Sequence, residues 1–213
     1  MINKKELFLL FKKLNYDYED KNDGKNYRYF HAIRVLNLSN ELAKKGDLLN
    51  KINPEALWVL ALFHDLGRNE KLFSNGQIVG NDATKDMHNV QLFIKYVFPL
   101  IDDEKLKQEL NIIIEDFSSK KFEKTESRLV KDADDLDELG ILNFWRMAVF
   151  SGKHNQDLQE TIDFFYRHDL AEKQEKMNKL FFNFSKEIAD ARNLEMSKMM
   201  DSIRDINDMN IPD

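Results

Sequence analysis

The stretch that most constrains the fold is an apolar segment at residues 54–67, PEALWVLALFHDLG. Proline is favoured in the first turn of a helix and glycine at its end, so this segment predicts a helix from Pro54 to Gly67. The residues predicted to face inward are Leu57, Leu60, Ala61 and Phe63. The last turn of the predicted helix carries His64 and Asp65 side by side.

Neighbouring side chains on a helix point about 100° apart, because one turn holds about 3.6 residues. The imidazole of His64 and the carboxylate of Asp65 can therefore meet only at a point between their two directions, such as a metal ion. A carboxylate behind an apolar run is costly unless something compensates its charge. The pair alone is a weak signal, because many sequences contain it by chance.

Two further residues complete an ordered set of candidate ligands. His31 lies 33 residues before His64, in YRYFHAIRVLNLSNELAKK, and Asp132 lies 67 residues after Asp65, in RLVKDADDLDELG. With HAIRV, ALFHDLGR and VKDADDLDELG around these residues, the sequence resembles the HD-domain metal-dependent phosphohydrolase superfamily. It is most similar to bacterial HD proteins related to nucleoside-triphosphate pyrophosphohydrolases, over roughly residues 25–205.

The resemblance implies an all-α fold, an HD-domain helical bundle with two long C-terminal helices. Only 7 glycines and 3 prolines in 213 residues also favour long helices. We expect one HD domain over residues 1–213. Its parts are an N-terminal helix and loop (1–24), a metal-binding core (25–150) and a C-terminal helical cap (151–213).

The resemblance also implies that one divalent transition metal is bound by His31, His64, Asp65 and Asp132. Nitrogen and oxygen donors suit Mn, Co, Ni, Fe or Zn better than calcium, and the absence of cysteine excludes thiolate ligands. Such a metal polarises phosphate and activates water. A second metal at His88 and Asp116 is the alternative, but Asp116 stands where two-metal relatives carry a histidine. We therefore expect one metal.

Catalytic roles are expected for the metal-binding His64 and Asp65, and also for Arg68 and Asp135. Arginine stays protonated, so Arg68 would hold phosphate and not act as a base. Asp134 or Asp135 is the candidate general base, acting through a water, and Asp135 is the one assigned a catalytic role. The candidate substrate-binding residues are Arg68, His88, Arg146 and Lys153.

Three segments carry structural expectations that bear on the site. Residues 69–83 are predicted to form a loop that acts as a lid or substrate wall, and a helix is predicted from Thr84 to about Val97. The segment ILNFWRMAVF, residues 141–150, is apolar almost all round and is predicted to be buried on every side. Arg146 within it needs a partner, either a carboxylate of the acidic run before it or a substrate phosphate.

The predicted function is hydrolysis of a nucleotide or a similar phosphorylated small molecule, with pyrophosphate release from nucleoside triphosphates as the leading reaction. The alternatives are a 5'-nucleotidase-type monophosphate hydrolase, a di-iron HD oxygenase and a non-catalytic nucleotide-binding protein. A net charge of −6 argues against a broad nucleic-acid surface. No apolar run approaches the ~20 residues that span a membrane, and the N-terminus lacks a signal-peptide cleavage site, so we expect a cytoplasmic protein. A homodimer remains open.

Overall fold

The computed structural model describes residues 2–17, 19–20, 24–69 and 88–208. The predicted all-α fold is confirmed. The α-helices are α1 (Lys4–Asn15), α2 (Tyr27–Lys45), α3 (Pro54–Phe63), α4 (88–92), α5 (Glu104–Ser118), α6 (Thr125–Asp137), α7 (Ile141–Lys153), α8 (Leu158–Phe164), α9 (Leu170–Lys179) and α10 (Asn183–Asn207). Short 3-10 helices lie at Leu49–Lys51, Leu66–Arg68 and Phe98–Leu100, and π-helical turns at Phe93–Val97 and Phe165–Asp169. The two-residue strands β1 (Glu19–Asp20) and β2 (Gly24–Lys25) form a minimal sheet.

The chain divides into two compact units. The first comprises Met1–Asp20 and Lys25–Ala133, and the second comprises Lys21–Gly24 and Asp134–Asp213. The main boundary therefore falls inside α6, one residue after Asp132.

Helix α3 is the centre of the first unit, packing against both α2 and α5. The four residues predicted to face inward, Leu57, Leu60, Ala61 and Phe63, are at most 1% exposed, as predicted. The helix begins with Pro54, after Asn53, whose side chain accepts hydrogen bonds from the N–H groups of Glu55 and Ala56. This cap satisfies two of the amides that a helix start leaves without intrahelical partners. The N–H of Asn53 donates to Glu126 of α6 at 2.8 Å, which ties the start of α3 to that helix.

Helix α7 in the second unit corrects one expectation, because it is not buried on every side. Trp145 is 64% exposed and Ile141 is 52% exposed. Only one face packs, through Met147, against an apolar cluster completed by Ile162, Phe165, Met196 and Met200. An apolar composition predicts burial only where neighbouring elements cover each face, and the sequence of α7 does not show what covers it.

The two long C-terminal helices that were predicted are present. The first is the stretch from α8 to α9, which runs through the π-helical turn at Phe165–Asp169, and the second is α10. Asp157 caps α8 in a capping box with Glu160. None of the helices among the described residues is long and apolar enough to cross a membrane.

Most of the predicted lid, residues 69–83, lies outside the described residues, and so does the predicted helix start at Thr84. The two ends that border it are both fixed within the first unit. Asn69 donates from Nδ2 to the carbonyl oxygen of Leu14 at 2.5 Å, and the N–H of Gly67 donates to Oδ1 of Asn89 at 3.1 Å.

Candidate metal centre

Two buried histidines and one aspartate converge in the first unit. His31 lies on α2, while His64 and Asp65 directly follow α3, and these two helices pack together. Nε2 of His31 is 3.7 Å from Oδ2 of Asp65, and Nε2 of His64 is 3.9 Å from Oδ1 of Asp65. One donor atom of each residue lies within 4.8 Å of the other two, so a single ion could contact all three. We call these three residues the ligand triad.

The end of α3 explains how two neighbouring residues contribute to one site. The helix ends at Phe63 and not at Gly67 as predicted. His64 still has helical dihedral angles (φ −56°, ψ −31°), whereas Asp65 leaves the helical path (φ −101°, ψ 15°). The chain continues into the 3-10 turn Leu66–Arg68, where the N–H of Arg68 donates to the carbonyl oxygen of Asp65 at 2.9 Å. This change of direction lets the two side chains converge.

The imidazole of His64 is oriented by its own helix. Its Nδ1 lies 2.8 Å from the carbonyl oxygen of Ala61. A carbonyl oxygen only accepts hydrogen bonds, so Nδ1 must carry a proton, and in the neutral ring the lone pair is then on Nε2. Histidines that bind metals are typically held in this way by a second hydrogen bond from the other ring nitrogen. The tautomer of His64 therefore fits a metal ligand.

His31 is held by an aromatic neighbour. The ring of Tyr27, four residues earlier on α2, stacks on the imidazole with centroids 5.4 Å apart and an interplanar angle of 12°. Residues four apart on a helix lie on the same face, so this stack follows from the sequence spacing. His31 is 1% exposed, and its ring centroid lies 5.2 Å from that of His64. The stack restricts rotation of the His31 ring within the site.

Asp132 is fully buried on the part of α6 that belongs to the first unit. Within the part of the chain that the structure describes, it is not a member of the group of donor atoms that lie mutually within 4.8 Å. Asp132 therefore stays a predicted fourth ligand.

Asp116, half of the predicted second metal site, serves the backbone instead. Its Oδ1 accepts from the N–H of Glu123 at 2.9 Å, and its Oδ2 accepts from the N–H of Lys124 at 3.0 Å. Both carboxylate oxygens thereby fix the loop that leads into α6. His88 is half-buried at the start of α4 and stays a prediction as a substrate-binding residue.

Two arginines surround the carboxylate of Asp65. Nη1 of Arg28 lies 2.6 Å from Oδ2, and Nε of Arg68 lies 3.0 Å from Oδ1. Arg68 was a sequence candidate, but Arg28 was not. The available signal was its position three residues before His31, which places both on one face of α2. The site thus combines the ligand triad with two guanidinium groups.

The remaining sequence candidates belong to the second unit. Asp135 is 6% exposed, and Lys153 lies exposed at the end of α7. Nη1 of Arg146 lies 3.1 Å from Oε1 of Glu138, so a carboxylate near the end of the acidic run is one partner of this arginine. A role in substrate binding stays a prediction for Arg146 and Lys153, as does a catalytic role for Asp135.

Glu138 and Arg146 line a cavity of about 230 Å³ within the second unit, together with Asp169, Lys173 and Lys176. Burial would raise the pKa of Glu138, but Arg146, Lys176 and Lys173 outweigh burial and hold this pKa below its ordinary value. For Asp169 burial prevails and raises the pKa, against the opposing effects of Lys173 and Asn143. The pKa values of Glu138 and Asp169 are therefore shifted in opposite directions.

The comparison with protein families identifies the architecture around the ligand triad. The model of the HD domain matches residues 28–139, more than half of the chain, and this range contains His31, His64, Asp65 and Asp132. The chain belongs to the HD domain family. The HD domain implies a divalent metal, and the ligand triad of this HD protein could bind one. Membership supports a metal-dependent phosphohydrolase as its general class.

Solved structures with the same fold cover nearly the whole HD protein. An HD-superfamily hydrolase from Bacillus thuringiensis matches with a TM-score of 0.65 and 17% identity, over 97% of this chain and 99% of the other. YpgQ from Bacillus subtilis, in a complex with ADP, matches with a TM-score of 0.62 and 17% identity over the same shares. Lin1889 from Listeria innocua matches with a TM-score of 0.62 and 20% identity, over 98% of this chain and 100% of the other. No curated protein sequence matches the chain.

Proposed function

We propose that this HD protein hydrolyses a nucleotide, and that its leading reaction releases pyrophosphate from a nucleoside triphosphate. The observation that carries the proposal is that Arg28 and Arg68 both contact Asp65, whose carboxylate is one of the three converging candidate metal ligands. Metal-binding donors beside fixed cations suit phosphoryl chemistry, where catalysis is mainly positioning and neutralisation of charge. The complex of Bacillus subtilis YpgQ with ADP supports a nucleotide as the substrate class.

Each residue of the site has a distinct task in this proposal. His31, His64 and Asp65 hold the metal, and we propose Asp132 as the fourth ligand. A divalent metal, when bound, supplies Lewis-acid activation of a phosphate oxygen and of the attacking water. The hydrogen bond of His64 to Ala61 uses Nδ1 and so leaves Nε2 as the ring nitrogen that would contact the metal.

The remaining tasks concern the substrate and the proton. Arg68 holds and neutralises a phosphate group through its permanent positive charge. We propose Asp135 as the general base that accepts a proton from water. His88, Arg146 and Lys153 are proposed to contact substrate.

A di-iron oxygenase is disfavoured by the role of Asp116. Both of its oxygens accept backbone N–H groups, so ligation of a second metal would compete with two hydrogen bonds that hold the loop before α6. We therefore propose one metal per chain.

The test is a hydrolysis screen with chelator-treated protein. Mn²⁺, Co²⁺, Ni²⁺, Mg²⁺ and Zn²⁺ are each supplied with nucleoside tri-, di- and monophosphates, and pyrophosphate and phosphate are assayed separately. We expect metal-dependent pyrophosphate release that is lost in Asp132→Asn. It should persist in Asp102→Asn, which neutralises an exposed aspartate before α5.

Three other outcomes would overturn parts of this proposal. Phosphate release from monophosphates alone would replace pyrophosphate release with nucleotidase activity. Full activity in Asp132→Asn would remove Asp132 from the ligand set. The absence of hydrolysis with every metal and every nucleotide would refute nucleotide hydrolysis.

A further inference from the structure

The tyrosine that stacks on His31 stands at the first position of α2. The ring centroids of Tyr27 and His31 are 5.4 Å apart, and the two rings are 12° from parallel. Tyr27 is 9% exposed and His31 is 1% exposed, so the contact is made inside the protein. Nε2 of His31 lies 3.7 Å from Oδ2 of Asp65. Tyr27 therefore covers one face of the imidazole, while the Nε2 edge is turned to the ligand triad.

The plane of a metal-binding imidazole decides whether its lone pair reaches the ion. The lone pair of Nε2 lies in the ring plane, so rotation about the Cβ–Cγ bond turns it away from the other donors. This torsion is broad in histidine, and rotamer preference alone does not fix it. A nearly parallel neighbouring ring does fix it, because the imidazole cannot rotate without clashing with that ring.

Tyr27 is itself held in place, although the first residues of a helix commonly fray. The residue before it, Asn26, has a left-handed backbone (φ 61°), and its Oδ1 accepts a hydrogen bond from the N–H of Asp17 at 2.7 Å. The guanidinium carbons of Arg28 and Arg34 lie 5.5 Å and 5.8 Å from the centroid of the Tyr27 ring. Cation–π contacts at these distances stabilise the ring. The start of α2 is thus ordered around Tyr27.

We infer that Tyr27 is a positioning residue of the metal centre. Its ring sets the plane of the His31 imidazole, so that Nε2 is directed at the ion position shared with His64 and Asp65 before a metal binds. The aromatic ring is the part of Tyr27 that acts, and the residue itself does not ligate the metal. The inference rests on the metal centre of the proposed function and is independent of the substrate.

A second tyrosine on the same helix provides a matched control. Tyr29 is also 9% exposed, and it stacks on Phe11 with centroids 5.3 Å apart and an interplanar angle of 17°. Residues two apart on a helix point about 200° apart, so Tyr27 and Tyr29 face different sides of α2. Phe11 belongs to α1 and not to the metal centre, so the stack of Tyr29 contributes packing alone.

The test is a titration of chelator-treated protein with Co²⁺, followed by visible absorption, which reports affinity and ligand geometry together. It compares the wild type with Tyr27→Leu and Tyr29→Leu, and urea unfolding is recorded for each protein. Both variants lose one stacked ring, so we expect similar losses of stability. Only Tyr27→Leu should weaken Co²⁺ binding, by about 10- to 100-fold, the range for residues that orient metal ligands. The absorption spectrum of its bound Co²⁺ should also differ from that of the wild type.

Two further variants identify which part of Tyr27 acts, and through which neighbour. Tyr27→Phe keeps the ring, so its Co²⁺ affinity and spectrum should stay near those of the wild type. Arg28→Gln tests a route through Arg28, which contacts both Tyr27 and Asp65. It removes a cation beside the ion position and keeps the stack on His31, so it should not weaken Co²⁺ binding. If Tyr27→Leu does not fold, Tyr27→Met carries the same expectation, because methionine fills irregular gaps without a planar ring.

The inference is overturned if Tyr27→Leu binds Co²⁺ as the wild type does, or if Tyr29→Leu weakens binding as much. An equal loss in Tyr27→Phe would assign the role to the hydroxyl, and an equal loss in Arg28→Gln would assign it to Arg28. Either result overturns the inference. A wild type that binds no Co²⁺ overturns it together with the metal centre.

Failure of the inference is separable from failure of the proposed function. If Tyr27→Leu alone loses affinity and the wild type hydrolyses no nucleotide, the hydrolase proposal is refuted and the inference stands. If the wild type hydrolyses nucleotides and Tyr27→Leu keeps its Co²⁺ affinity, the inference is refuted and the hydrolase proposal stands.

Discussion

Nδ1 of His64 lies 2.8 Å from the carbonyl oxygen of Ala61, one turn earlier in the same chain segment. This contact joins the last turn of α3 to the ligand triad. It sets which ring nitrogen faces the other donors. The orientation of the His64 imidazole therefore comes from the end of the helix and does not require a bound metal.

His64→Asn separates two roles of the imidazole, which are the hydrogen bond from Nδ1 to Ala61 and the proposed metal ligation through Nε2. Its short amide can reproduce the donor to Ala61 but cannot reach the position of Nε2. We expect His64→Asn to lose at least about 100-fold in Mn²⁺ affinity while unfolding within about 1 kcal/mol of the wild type. Calorimetric titration with Mn²⁺ and urea unfolding check the two parts. Metal affinity at the wild-type level would show that Nε2 of His64 is not a ligand.

Replacement of Asp116 tests whether it is structural or a metal ligand. Asp116→Ala leaves the N–H groups of Glu123 and Lys124 without their acceptors, so we expect a loss of about 2 kcal/mol in unfolding free energy. Asp116→Asn keeps one acceptor oxygen and should lose less. Metal content per chain should stay the same in both variants, as measured by mass spectrometry. A drop in metal content with unchanged stability would instead support a second metal at this position.

Glu138→Gln tests the charged cavity through its pH dependence. The pKa of Glu138 is below its ordinary value of 4.5 in the folded protein, so its charge stabilises the fold above pH 4.5. That contribution is lost as pH falls through the lowered folded pKa, where the wild type also becomes neutral. We expect Glu138→Gln to cost about 2 kcal/mol at pH 7, between values for buried and surface ion pairs.

The difference in unfolding free energy between the wild type and Glu138→Gln should become smaller as pH falls below 4.5. Urea unfolding at several pH values measures this difference. Glu175→Gln is the control, since its partner Lys179 forms a fully exposed pair with it, and little change is expected. A gap that is constant with pH would mean that the charge of Glu138 does not stabilise the fold.

Substitutions of Met147 and Trp145 test which face of α7 is buried. Met147→Ala removes a buried side chain from the apolar cluster of the second unit and should cost about 2–4 kcal/mol. Trp145→Gln replaces a larger but 64% exposed side chain and should change stability by about 0.5 kcal/mol or less. Urea unfolding of the two variants compares them directly. A larger loss for Trp145→Gln would mean that another surface covers this tryptophan in solution.

The sequence was sufficient for the fold class and for the inward face of α3, because the helical spacing of apolar residues is a local signal. The convergence of His31 with His64 and Asp65 was expected from the family resemblance, since it depends on how α2 packs against α3. Local spacing could not specify that contact. It also could not locate the end of α3, which depends on the dihedral angles of Asp65.

Arg28 was missed for a different reason. A solvated arginine and one that binds a buried carboxylate look alike in a sequence, and only the position of Asp65 distinguishes them. For α7 the apolar sequence predicts burial on every side, whereas the fold covers one face. Both errors concern neighbours from distant parts of the chain, which a one-dimensional pattern does not contain.

The π-helical turn at Phe165–Asp169 affects how the C-terminal helices align with those of related proteins. A π turn is equivalent to one residue inserted into an α-helix, and it rotates everything after it relative to everything before. Phe165 reaches the apolar cluster, whereas Asp169 at the other end of the turn lines the charged cavity. An alignment with a relative that has a regular helix here would need a one-residue gap, and without it every position of α9 would be compared with the wrong face.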